Sequence, residues 1–124
     1  MNQNLFLKVN IDETVKDPES LTKDINKIEG VDKAEEREAS GVVTALVIAI
    51  VSRLVIELLK QTPKAIKKLK KMIQKILKKR QKHSRGTGNI TLTLHYEVQK
   101  YTFTLGMDDE MDQQIEELMK YISS

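Results

Sequence analysis

The chain has 124 residues, of which 40% are apolar and 31% charged, which suits one soluble globular domain with a modest core. It has no cysteine, so disulfides and thiolate chemistry are excluded and a reducing cytoplasm is the expected location. The net charge of +3 conceals an asymmetry: residues 58–96 hold twelve Lys or Arg and no acid, leaving nine basic and all eighteen acidic residues to the flanks. Such patterning implies either an anionic partner for the middle or neutralisation by the ends.

The opening MNQNLFLKVNIDE lacks the basic and apolar regions of a secretion signal. Within it Leu5, Leu7, Val9 and Ile11 alternate with Lys8, Asn10 and Asp12, which predicts a half-buried strand. In DPESLTKDINKIEG, Asp17 suits a helix cap and Pro18 the first helical position. Leu21, Ile25 and Ile28 make one stripe, and Gly30 supplies a left-handed stop. VDKAEEREAS, residues 31–40, reads as a short edge strand and a loop, with an acidic helical turn as the other option.

GVVTALVIAIVSRLVIELLK is the most apolar stretch and predicts an aliphatic helix over 41–61. Thr62–Pro63 is a helix-start pair, so the chain is expected to break near 60–63. A basic amphipathic helix over 63–83 follows, with Ile66, Leu69, Ile73, Ile76 and Leu77 on its apolar side and lysines on the others. SRGTGN reads as a linker over 84–89. NITLTLHYE and YTFTLG then predict a β-hairpin over 90–105, and DDEMDQQIEELMKYI a C-terminal helix over 108–122 with Met111, Ile115, Leu118 and Ile122 buried. The expected architecture is a single α+β domain over 1–124. It has a small, mostly antiparallel sheet in β-α-β-α-α-β-β-α order, with a central aliphatic helix followed by a basic one.

Catalytic signals are absent. His83 and His95 have no cysteine for company, which argues against zinc, and neither shows triad spacing. RGTGN lacks the strand-to-helix context and GK[ST] ending of a phosphate loop. No catalytic, cofactor-binding or metal residue is assigned, and the chain reads as a non-enzyme.

Function therefore turns on two surfaces. The uncharged part of the aliphatic run, Ala39 to Ser52, is too short to span a bilayer, which needs roughly 20 residues, and extending it buries Arg53 and Glu57. As a core helix it has more apolar surface than one sheet covers. Val43, Val47, Ile50 and Leu54 are thus the candidate self-association or partner-docking residues. On the basic helix, Lys64, Lys67, Lys68, Lys71, Lys75, Lys78 and Lys79 are candidates for contact with an anionic membrane or with phosphates. No aromatic residue lies between Phe6 and Tyr96, which disfavours nucleic-acid reading by base stacking. KKRQKHSRGTG, with Arg80, Lys82 and Arg85, is a candidate protease-sensitive linker whose cleavage would release 41–83 to act on anionic membranes.

The order LFLKVNID strand, DPESL helix, Gly-led aliphatic helix, basic stretch, Thr-rich hairpin and acidic closing helix resembles the effector-associated constant component family of prokaryotic conflict systems. That resemblance covers nearly the whole chain as pattern and order. It implies a small non-catalytic partner of an effector, such as a protease or TIR-type domain, in antiviral defence. The chain departs from the family pattern in lacking Asp-Gly at the hairpin turn and in its long basic stretch after Pro63. The expected location is the cytoplasm, or the periphery of the inner membrane if the lysines meet lipid.

Overall fold

The computed structural model describes residues 5–60, 62–84, 91–96 and 99–104, together with positions 113, 117 and 120. Strand β1 (Leu5–Asn10) has the expected alternation, with Leu5, Leu7 and Val9 buried and Lys8 exposed. Helix α1 (Pro18–Asn26) starts as its sequence dictates: the Asp17 carboxylate accepts from the Ser20 amide at 3.1 Å, Pro18 opens the first turn, and Leu21 and Ile25 point inward. Gly30 ends this unit at φ 97°, a left-handed conformation that favours glycine. A Cβ there would also come within 3.0 Å of the Met72 sulfur, so the chain passes close against a later helix.

The aliphatic stretch is not the predicted helix over 41–61. Val42–Ile50 is strand β3, and only Ser52–Leu59 is helical, as α2. Residues 31–40 correspondingly form a full strand, β2 (Val31–Ala39), which turns into β3 as a hairpin. Ser40 and Gly41 both have positive φ, 53° and 79°, between the paired residues Ala39 and Val42. This two-residue loop is the geometry whose twist matches that of the flanking strands. The reason is visible in the side chains. From Val42 to Val51 most residues are β-branched, a choice that favours an extended chain, and an internal strand reads as a continuous apolar run. Leu46, Ile48 and Ile50 face the core, while Ala45, Val47 and Ala49 occupy the other parity.

The sheet runs β2-β3-β1-β4-β5, with every neighbouring pair antiparallel. β4 (Thr91–Tyr96) and β5 (Gln99–Thr104) form the expected hairpin, and Leu92 and Leu94 stand opposite Val9 and Leu7 of β1. Residues 97–98 and nearly all of the 84–89 linker lie outside the described residues. So does the predicted 108–122 helix, apart from Gln113, Glu117 and Lys120, which are helical and exposed. The α+β class with a small antiparallel sheet holds; the described order is β-α-β-β-α-α-β-β.

Helix α3 (Pro63–Lys82) follows a short break after α2, as Thr62–Pro63 predicts; the Thr62 hydroxyl accepts from the Ala65 amide at 3.3 Å. Its Ala65, Leu69, Met72, Ile73, Ile76 and Leu77 are buried in a cluster shared with β1, β3, α1 and α2. Among the described residues no helix is long and apolar enough to cross a membrane.

The outer strand β2 carries its own protection. The Asn26 amide brackets the Ala34 backbone, accepting from its N–H at 2.9 Å and donating to its carbonyl at 3.3 Å. Exposed Lys33, Glu35, Arg37 and Glu38 add charge along the same strand, a second deterrent to edge pairing. Replacing Asn26 by Ala should cost about 1–2 kcal/mol of stability, since two part-buried backbone groups lose their partner. Urea denaturation measures this, and light scattering should show concentration-dependent association once the edge is open.

Candidate anion-binding cleft

A helical period of about 100° per residue puts Lys64, Lys68, Lys71, Lys75, Lys78 and Lys82 in one row along α3, roughly 27 Å long. All six are exposed. They lie away from the buried stripe, so the backbone that carries them is fixed while the ammonium groups reach solvent. Lys67 is exposed beside the row. Lys79 is half-buried, and its charge helps hold the Asp24 carboxyl below its usual range.

Between α2 and α3 lies a cleft of about 550 Å³. Lys64, Lys68, Lys71 and Lys75 form one wall, with Arg53 of α2 across from them. Val51, Leu54 and Met72 lie at its base beside Gly30, and Glu29 and Glu57 complete the lining. Despite those two carboxylates, none of these five cations carries an ion pair among the described residues. The lysine wall is legible in the sequence, whereas Arg53, on the separate short helix α2, is brought to it only by the fold.

The C-terminal end of α3 is bolted down by polar contacts. Arg80 is 1% exposed. Its Nε donates to the Asn10 carbonyl at 3.0 Å, and its Nη2 lies 3.3 Å from Asp12 Oδ2 as an ion pair without hydrogen-bond alignment. Asp12 also accepts from the Thr14 amide at 2.9 Å and from the Thr14 hydroxyl, which is in turn 2.7 Å from the Ser84 hydroxyl. His83 Nε2 meets Asp24 Oδ2 of α1 at 2.7 Å. The Thr14 hydroxyl bond, aided by Arg80, holds the Asp12 carboxyl below its usual range; the bond to His83, aided by Lys79, does the same for Asp24.

These contacts relocate several of the sequence candidates. Arg80 is a buried anchor, not part of an exposed linker; Lys82 ends α3, and Arg85 lies outside the described residues. Ile50 and Leu54 are core residues at 5% exposure, unavailable to a partner. Val43 is half-buried against the same core, and Val47 sits half-buried between Lys8 and Glu35 in the sheet register. The four do not form one apolar patch.

Among the described residues no group of His, Asp or Glu could hold a metal ion. No family model matches the chain, and neither a curated protein nor a solved structure matches it.

The polar anchor has a pH signature. Groups with lowered folded-state pKa contribute stability that is complete above their unfolded value, near 4, and is lost as pH falls through the folded value. Thermal unfolding should therefore show Asp12→Asn less stable than the parent at pH 7, with the gap closing below about pH 4. Arg80→Met should lose about 2 kcal/mol or more at neutral pH, because Asn10 and Asp12 are left without their buried partner.

Proposed function

We propose that the chain is a non-enzymatic interaction module that captures an anionic partner along α3. The observation that carries this reading is the row of six exposed lysines on a helix whose opposite face is locked into the core. Arg53 extends the positive field across the cleft. Holding like charges in a line costs self-repulsion, which an anionic surface relieves while speeding encounter. The resemblance to effector-associated components is consistent with such a role, as the docking partner of a protease or TIR-type effector in bacterial antiviral defence.

Self-association through this surface is disfavoured, since a second copy would bring one lysine row against another. Of the candidate docking residues of the aliphatic run, Ile50 and Leu54 are already used in the core. Release of 41–83 to attack membranes would pull β3 from between β2 and β1 and strip α3 from the core, which favours the attached domain as the species that meets its partner.

Fluorescence anisotropy with a labelled oligoglutamate at low salt provides the test. The parent should bind it, with affinity falling as salt rises. Lys68→Glu/Lys71→Glu/Lys75→Glu should fold as the parent does and lose about tenfold or more in affinity. Equal binding by parent and triple variant would refute the reading.

A further inference from the structure

Building on the interaction-module reading, we infer that the α2–α3 cleft receives an acidic amphipathic peptide segment of a partner protein, seated with its carboxylates on the lysine wall and an apolar side chain against α2. The chemistry of the cleft distinguishes this occupant from other polyanions. Glu29 and Glu57 line the same space as Arg53 and the lysines. A nucleic-acid or lipid phosphate array presents acceptors only along its charged face, so it would set phosphates against both carboxylates. A polypeptide brings backbone N–H and side-chain donors along with its acids, and can meet both signs.

Dimensions and apolar surface agree with that choice. From Lys64 to Lys75 the wall is about 16 Å long, the length of roughly three helical turns. Half-exposed Val51 lies in the cleft, and Ile56, outside the lining but one helical turn from the lining residue Arg53, is 51% exposed, one of two large apolar side chains left that open among the described residues. Ile56 stands one turn from Arg53 and beside Glu57 on α2, so an apolar anchor there is flanked by charge. Peptide-in-groove recognition uses this combination: one or two apolar anchors within a charged frame. The lack of aromatic side chains between Phe6 and Tyr96 removes the stacking platform that a single-stranded nucleic acid would need.

The experiment uses two labelled 14-residue peptides of equal negative charge, one of Glu and Ser only, the other with Leu at helical i, i+3, i+7 positions. Binding is read by anisotropy to the full chain, to Ile56→Ser and to Lys68→Glu/Lys71→Glu. The Leu peptide should bind about fivefold or more tighter than the Ser peptide, and Ile56→Ser should remove that advantage while leaving Ser-peptide affinity unchanged. Charge reversal should weaken both. Equal affinity for the two peptides, or an Ile56→Ser variant that keeps the preference, overturns the inference while leaving the electrostatic reading intact. Failure of both peptides to bind at low salt overturns both. Tighter binding to phosphatidylglycerol vesicles or to duplex DNA than to the Leu peptide, at equal salt, also overturns the inference.

Discussion

Packing of the α3 apolar stripe into the core shared with β1, β3, α1 and α2 is the constraint on which the rest of the molecule depends. A 20-residue helix with this many lysines has little reason to form alone, because its like charges repel and its intrinsic helical stability is marginal at that length. Burial of Leu69, Met72, Ile73, Ile76 and Leu77 supplies the missing free energy, at roughly 1.5–3 kcal/mol per fully buried side chain. Once that side is fixed, the position of every lysine follows from the helical period, and the charge row is a consequence of the core.

The ends of α3 are held as firmly as its middle. Thr62 and Pro63 define its start, and Gly30 lets the α1–β2 turn approach Met72 closely. At the other end Arg80, His83 and Ser84 tie it to β1, α1 and the loop between them through ion pairing and hydrogen bonds. The buried Arg80 costs desolvation, which the Asn10 carbonyl and the Asp12 carboxylate offset.

Local chemistry made much of this legible in the sequence. The β1 alternation, the Asp17–Pro18 start of α1, the stop at Gly30, the Thr62–Pro63 break and the amphipathic α3 all follow from short-range rules whose signals lie within a few residues of one another. Two features did not. The aliphatic run satisfies both an all-apolar helix and a strand buried in the middle of a sheet, and period alone cannot separate them. The deciding signals were the β-branched residues and Ser40–Gly41, whose turn geometry links β3 to a charged strand that reads poorly by itself. Arg80 was hidden for another reason: in a run of lysines its charge suggests solvent. Only tertiary packing reveals that it points inward, to partners 70 and 68 positions earlier in the chain. The first difference takes Ile50 and Leu54 out of the candidate docking surface, and the lysine face already legible in the sequence gains a cleft beside it.

The proposed role of the α3 lysine face rests on Val42–Ile50 lying inside the sheet and not in a helix of its own. The most direct test is backbone NMR of residues 41–60. The structure predicts extended-chain Cα and Cβ shifts over Val42–Ile50, cross-strand contacts from Val47 to Lys8 and Glu35, and a change to helical shifts at Ser52. Continuous helical shifts from Gly41 to Leu59 would contradict the account, because the run would then present the apolar surface that the strand removes.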